Sequence, residues 1–182
     1  MHFELHFTTR LCHPEDARLL APLIHALALE EGVTPADVDE IAGIVDALLT
    51  SGASDFLLAE ADNAPVGCLQ IAYRLSTWQA MPYAYLEDFY LRPDARGKGI
   101  GTKMLDYALQ RADAQGSDAV MLDVRAANSG AQKLYAHFAF KDTGSIVLKL
   151  PLPLGPTYDP HIAEVLDTVA ALRRQSSKGT DS

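Results

Sequence analysis

The chain has 182 residues, a formal net charge of −9 and 48% hydrophobic residues, which is an ordinary composition for one soluble globular domain. The acidic balance disfavours nucleic-acid binding, which depends on neutralising phosphates, and it favours a cationic ligand. Neither of the two cysteines, Cys12 and Cys68, belongs to a C-x-x-C pair, so the sequence predicts neither a disulfide framework nor a cysteine-ligated metal. It shows no basic leader and no apolar run of bilayer length. We therefore expect a cytoplasmic protein with no nucleic-acid or membrane partner.

Cap and turn signals divide the chain into alternating strands and helices. The first half is predicted to contain a strand over 3–9, a helix from His13-Pro14 to about Glu31, a helix from an N-cap at Thr34 to about Thr50, strands over 56–60 and 66–74 around a turn at Asp62-Asn63, and a loop over 75–82. The second half is predicted to contain a strand over 83–92, a helix over 102–115, a strand over 119–124, a helix from an N-cap at Asn128 to about Phe138, and a hairpin over 139–142 and 145–150.

This order predicts an α+β (mixed α/β) domain over residues 1–150, with helices flanking one twisted, mostly antiparallel sheet. Three prolines then interrupt regular structure, and an extra helix is predicted over 160–174, followed by a polar tail that we expect to be disordered. Residues 151–182 are therefore interpreted as a C-terminal extension.

The run Arg96-Gly97-Lys98-Gly99-Ile100-Gly101 stands between a predicted strand and a predicted helix. Glycines let backbone N–H groups approach a ligand closely, and the helix directs the positive end of its dipole to the same place. The run therefore indicates an anion-binding loop suited to a pyrophosphate, with a plain tight turn as the alternative. It matches neither a Walker A loop nor the dinucleotide fingerprint G-x-G-x-x-G, because residue 102 is Thr.

Two segments resemble the signature motifs of the GCN5-related N-acetyltransferase superfamily. The segment 86–105, L-E-D-F-Y-L-R-P-D-A-R-G-K-G-I-G-T-K-M-L, is similar to motif A, [RQ]-x-x-G-x-[GA], through Arg96, Gly99 and Gly101. The segment 124–140 is similar to motif B, N-x-x-A-x-x-[LF]-Y-x-x-x-G-F, with Asn128, Ala131, Leu134, Tyr135 and Phe140 in the matching positions. Ala139 replaces the usual glycine, which we expect to alter a turn rather than the chemistry. The resemblance spans about residues 3–150, and the L-E-D-F stretch is also similar to the polyamine and thialysine acetyltransferase branch.

The resemblance implies acetyl-CoA as co-substrate. Its pyrophosphate would lie on the backbone of Gly97, Lys98, Gly99, Ile100, Gly101 and Thr102, with Arg96 beside it. Its pantetheine arm would pair with a bulged strand near Phe89, Tyr90 and Leu91, and Asn128, Ala131 and Tyr135 would complete the cofactor contacts. Asn128 also suits a plain helix N-cap, and the two roles are compatible.

The resemblance also places Tyr135 at the position of the general acid that protonates the leaving sulfur; a core aromatic is the alternative. Glu87 and Asp88 form an acidic pair on a strand, and we assign proton relay to Glu87, against the alternative of a solvated strand end. With Trp78 and Tyr83 as an aromatic wall, this pair would bind a cationic amine, although such aromatics also serve simply in packing. His2 and His6 share a strand face without a third ligand, so no metal is predicted.

The predicted function is therefore acetylation of a primary amine on a small, cationic molecule through a tetrahedral intermediate. Protein or peptide N-acetylation, and a non-catalytic acyl-CoA-binding module, remain open as alternatives. Because many members of the superfamily are homodimers, a homodimer is also favoured.

Overall fold

The structure is a computed structural model that describes residues 6–149. The strands are β1 (Phe7–Leu11), β2 (Ser54–Ala61), β3 (Ala64–Ser76), β4 (Met81–Leu91) and β5 (Ala119–Leu122). The α-helices are α1 (Ala17–Glu30), α2 (Val38–Ser51), α3 (Ile100–Ala114) and α4 (Ser129–His137), and short 3-10 turns precede α1 and α3.

The five strands form one sheet in the order β1-β2-β3-β4-β5. The pairs from β1 to β4 are antiparallel, and β5 lies parallel to β4 because α3 carries the chain back across the sheet between them. This confirms the predicted mixed α/β fold with a mostly antiparallel sheet.

Each face of the sheet buries its own hydrophobic cluster. The α3 face collects side chains such as Leu57, Ile71 and Leu105, whereas the face covered by α1 and α2 collects Phe56, Leu20 and others. The alternation of side chains along each strand separates the two sets, as the period of two requires. A residue's place in this alternation therefore tells which face it serves.

The local signals place most elements within one or two residues of their predicted ends. Asp62 and Asn63 have φ values of 50° and 62°, which suits the two-residue turn expected between β2 and β3. The predicted N-cap at Thr34 is wrong, because α2 begins three residues later than that signal suggests. The cap is Asp37, whose backbone N–H donates to Glu40 Oε2 at 3.2 Å in a capping box.

The hairpin predicted over 139–150 is not formed in the part of it that is described, residues 139–149. The chain turns after α4 at Ala139, which has a φ of 62°. Asp142 Oδ1 then accepts a hydrogen bond from the Gly144 N–H at 2.7 Å, and such local side-chain contacts compete with strand pairing.

The chain divides into two compact units at Phe140 and Lys141. Residue 150, the predicted helix over 160–174 and the tail lie outside the described residues. The boundary expected at residue 150 therefore stays a prediction. No helix within residues 6–149 has the length and apolar character needed to cross a membrane.

Candidate functional site

Strand β4 contains a bulge at the point where its sequence changes from apolar to acidic. Its register with β3 pairs Glu87 with Gln70 and Tyr90 with Cys68, so β4 fits two residues between these pairs where β3 fits one. One of the two, Asp88, has a φ of 46°. The extra residue reverses the alternation, and side chains after the bulge face the opposite side from those at the same spacing before it.

The same strand separates from β5 beyond the bulge. The two strands pair from Tyr83 with Ala119 to Leu86 with Leu122, and β4 then continues to Leu91 with no further β5 partner among the described residues. A parallel pair that ends early leaves a wedge-shaped opening. Backbone groups of β4 between Glu87 and Leu91 border this opening and can pair with a ligand.

The glycine-rich loop lies at the wide end of this opening. Gly97 and Gly99 have φ values of 72° and 80° and face open space, since a Cβ built on either would have no neighbour within 4 Å. Gly99 is the N-cap of α3 and supplies no side chain to cap it, so the first N–H groups of the helix remain available to an anion. A Cβ on Gly101 would lie 3.2 Å from Leu91 Cδ1, which seats the loop directly against the end of β4.

The Arg96 side chain forms hydrogen bonds within the protein. Its Nε donates to the Leu91 carbonyl oxygen at 2.9 Å, and its Nη2 donates to Glu30 Oε2 at 2.6 Å. Glu30, the nearest acid, raises the pKa of the Arg96 guanidinium further above its ordinary value. Arg96 therefore ties the loop to the end of α1, and Lys98 is a second exposed cationic side chain of the loop.

Helix α4 lies beside the start of α3, since a Cβ on Gly101 would lie 3.6 Å from Leu134 Cδ2. The Asn128 Oδ1 accepts a hydrogen bond from the Ala131 N–H at 3.1 Å, so Asn128 is the N-cap that the sequence allowed. Tyr135 packs edge-to-face on Phe140, with ring centroids 5.7 Å apart. Burial raises the pKa of the Tyr135 hydroxyl above its ordinary value, so the phenol stays protonated at neutral pH and can donate a proton.

Glu87 and Asp88, the acidic pair of β4, lie in two different environments. Glu87 forms a salt bridge with Arg74 at 2.5 Å, and the Arg74 guanidinium carbon lies 4.1 Å from the centroid of the Tyr85 ring. Asp88 lies half-buried in the bulge, where burial first and the Glu87 charge second raise the pKa of its carboxyl. Burial and the nearby Asp123 carboxylate raise the pKa of Tyr85 to about 12.

The two aromatic residues expected near this pair are not equivalent. Tyr83 lies on β4 directly opposite Arg74, whereas Trp78 lies in the turn after β3 with 92% of its surface exposed. Sequence reasoning missed Arg74, although its position at the end of the predicted strand 66–74 was a usable signal, because the hairpin brings that end beside the start of β4. Within residues 6–149, no group of three or more His, Cys, Asp or Glu side chains could hold a metal ion.

Comparison with known proteins matches this architecture to one family. The model of the "Acetyltransferase (GNAT) family" matches residues 23–140. The chain is 33% identical over 76 residues to the D-amino-acid N-acetyltransferase of Saccharomyces cerevisiae, covering 42% of this chain and 47% of that protein. It is 32% identical over 90 residues to the thialysine N-epsilon-acetyltransferase of Bos taurus, covering 47% and 52%. The chain thus spans about half the length of these two relatives.

A solved structure extends the likeness over most of the fold. The predicted acetyltransferase of Clostridium acetobutylicum, determined with acetyl-CoA, superposes with a TM-score of 0.68 at 22% identity, covering 81% of this chain and 97% of that one.

Proposed function

Since the chain belongs to the acetyltransferase (GNAT) family, we propose that it is an acetyl-CoA-dependent N-acetyltransferase that acetylates a primary amine of a small molecule. The observation that carries this proposal is that three structural features lie together at the end of β4. The bulged strand β4, its separation from β5 and the uncapped N-terminus of α3 meet around Leu91 and Gly101. Together they offer strand-edge pairing for an extended chain and backbone N–H groups for a pyrophosphate.

The residues present fit acetyl-CoA as a substrate. Gly97 and Gly99 leave space that a side chain would fill, and the backbone N–H groups from Gly97 to Thr102 would bind the pyrophosphate with Lys98 beside them. The backbone at Phe89, Tyr90 and Leu91 would pair with the pantetheine arm. Asn128 caps α4 with its oxygen, which leaves its amide nitrogen as a donor, and Ala131 lies one turn before Tyr135 on the same helix.

The reaction requires the acceptor ammonium to lose one proton before its nitrogen attacks the thioester carbonyl carbon. In the proposed mechanism, Glu87 accepts that proton through water. The resulting tetrahedral intermediate breaks its carbon–sulfur bond, and Tyr135 donates a proton to the sulfur as it leaves. The amide nitrogen loses its second proton to solvent, Tyr135 recovers its own proton from solvent, and Glu87 releases the proton that it accepted. The sum is one amide, one free thiol and one released proton.

The negative charge of the chain favours an acceptor that binds in its protonated, ammonium form. The chain has a net charge of −9, and Glu87, Asp88 and Asp123 lie on or beside the proposed acceptor side of β4. Tyr83 would supply an aromatic contact, whereas the exposure of Trp78 favours a role only at the rim. Two relatives are named for D-amino acids and for thialysine, which supports a small-molecule acceptor over a protein.

The test is acetyl-CoA-dependent thiol release with a panel of amines and short peptides, alongside Tyr135→Phe and the control Tyr107→Phe. Tyr107 packs against the same core from α3 and has no proposed role. We expect Tyr135→Phe to lower kcat by roughly 10²- to 10⁴-fold, the usual contribution of a general acid, with little change in acetyl-CoA affinity, and Tyr107→Phe to behave as the unmodified protein.

The other outcomes separate the alternatives. Turnover of peptides alone would favour a protein acetyltransferase. Tight acetyl-CoA binding without turnover of any amine or peptide would favour a non-catalytic acyl-CoA-binding module. Absence of acetyl-CoA binding would overturn the proposal. Light scattering of the same preparation tests the expected homodimer.

A further inference from the structure

Arg74 is an arginine that the pairing of β3 with β4 brings beside Glu87. It lies on β3 opposite Tyr83, and Glu87 lies on β4 opposite Gln70. Directly opposed residues of an antiparallel pair share a face. Arg74 and Gln70 lie on the same face of β3 as Cys68, because residues two apart on a strand share a face, and Cys68 belongs to the cluster under α1 and α2. Arg74 and Glu87 therefore face the same side as the proposed acceptor site.

The Arg74–Glu87 ion pair can be exchanged for a ligand. The two side chains are 43% and 36% exposed, and ion pairs this accessible to water contribute only about 0–1 kcal/mol. Glu87 is the only acid that forms a salt bridge with Arg74 among the described residues. A ligand carboxylate that replaces Glu87 would therefore remove little stability from the protein.

A second contact keeps Arg74 in place when the pair opens. Its guanidinium carbon lies 4.1 Å from the Tyr85 ring centroid, within the range of a cation–π interaction. An arginine stacked in this way presents its donors in a fixed plane, which suits the two oxygens of a carboxylate. Lysine could not offer the same arrangement.

From this geometry we infer that the acceptor is zwitterionic: its carboxylate binds Arg74, and its ammonium binds the Glu87 carboxylate that Arg74 releases. The inference rests on the proposed acetyltransferase function and defines its substrate class. An adjacent cation and anion match a molecule that carries both opposite charges. A purely cationic polyamine would meet the guanidinium as a like charge, which disfavours it.

The exchange also couples binding to the proton transfer. While Glu87 is paired with Arg74, its carboxylate is partly neutralised by the guanidinium. Once the ligand carboxylate occupies Arg74, Glu87 becomes available to accept the ammonium proton, directly or through one water. The uncharged amine then attacks the thioester carbonyl, and the carbon–sulfur bond breaks as described above. Arg74 is thus a substrate-binding residue that also determines whether the Glu87 carboxylate is free to accept a proton.

The test compares amino acids with the amines that lack only the carboxylate: phenylalanine with phenethylamine, lysine with cadaverine, and ornithine with putrescine. Each pair is assayed with the full-length protein and with the variants Arg74→Gln, Arg74→Lys and Arg18→Gln. Arg18 is an exposed arginine of α1 with no proposed role and controls for the loss of one positive charge.

We expect the unmodified protein to favour the amino acid of at least one pair. Arg74→Gln should lower kcat/KM for that amino acid by roughly 10- to 100-fold, the effect of losing a hydrogen bond between charged groups, mainly through KM. The matching amine should not lose activity. Arg74→Lys should recover part of the loss because it retains the charge, and Arg18→Gln should have no effect.

Calorimetric titration of each variant with acetyl-CoA distinguishes failure of the zwitterion inference from failure of the acetyltransferase function on which it rests. If amines without a carboxylate are acetylated as well as the amino acids, or if Arg74→Gln lowers both members of a pair equally, the zwitterion inference is overturned and the acetyltransferase function stands. If acetyl-CoA does not bind, the proposed function itself fails. Binding without acetylation of any of the six compounds contradicts both the small-molecule acceptor and the inference.

Discussion

Replacing Gly67 with alanine should disturb the site through the sheet, because the added methyl group meets two of the residues proposed to pair with the cofactor. Gly67 lies on β3 opposite Leu91. A Cβ at this position would stand 2.3 Å from Leu91 Cδ2 and 2.8 Å from the Tyr90 carbonyl oxygen. The leucine side chain can rotate, but the carbonyl oxygen belongs to the backbone of β4 and moves only if the strand moves. The end of β4 must therefore shift.

The magnitude follows from overpacking a buried contact. Inserting one methyl group into a well-packed interior costs about 1–3 kcal/mol of the free energy of unfolding. For a chain of this length, that corresponds to a Tm about 2–12 °C lower, at roughly 2–4 °C per kcal/mol. Because Leu91 also contacts Gly101, the shift reaches the glycine loop, and we expect weaker acetyl-CoA binding as well.

Gly43→Ala is the matched control. Gly43 lies in the interior of α2, and a Cβ there would have no neighbour within 4 Å. The substitution should stabilise the protein by about 0.5–1 kcal/mol, because alanine is the better helix former. Urea unfolding followed by circular dichroism measures both variants, and calorimetry measures their acetyl-CoA affinity. If Gly67→Ala unfolds at the same urea concentration as the unmodified protein, the reasoning about the β3–β4 contact is wrong.

Three further substitutions test other contacts of the fold, each by urea unfolding. Asp16→Asn should lower the free energy of unfolding by about 1–3 kcal/mol at pH 7, because Arg10 lowers the pKa of the folded Asp16 carboxyl below 3.8. The stabilisation is present above that pH and is lost as the pH falls through the folded-state pKa. The difference in stability between the two proteins should therefore shrink at pH 3. Asp55→Ala should lower the free energy of unfolding by about 1–3 kcal/mol, since it removes the carboxylate that the half-buried Arg111 guanidinium bonds at 2.6 Å. Ala139→Gly should add roughly 1 kcal/mol, because a φ of 62° suits glycine better, and an unchanged stability would contradict the turn geometry.

Local signals in the sequence were sufficient for the parts of the fold that depend on neighbouring residues. The Asp62-Asn63 turn, the cap at Asn128 and the glycines before α3 each act within a few residues, and the structure places them as expected. Local competition explains one failure. Thr34 and Asp37 both suit an N-cap, and only the reciprocal contact with Glu40 favours the second.

Contacts between distant residues could not be predicted in the same way. The sequence placed Arg96 in the anion-binding loop because it is basic and adjacent to glycines. Its hydrogen bond to Glu30 joins residues 66 positions apart, and no periodicity connects them. The pairing of Arg74 with Glu87 has a similar origin, because it needs the register that the turn after Ser76 sets between β3 and β4.

The bulge itself has a sequence signal that explains why β4 serves both halves of the site. Leu86 faces the α3 side, and a regular strand would place Asp88 and Tyr90 on that side too. Burying the Asp88 carboxylate in the α3 core would cost more than interrupting the pairing once. The extra residue instead brings Phe89 and Leu91 to the α3 side, where Leu91 supports the glycine loop, and leaves Glu87 on the acceptor side. Two consecutive acids inside an alternating strand therefore predict the bulge, and the bulge positions the cofactor loop and the proposed base on opposite faces of one strand.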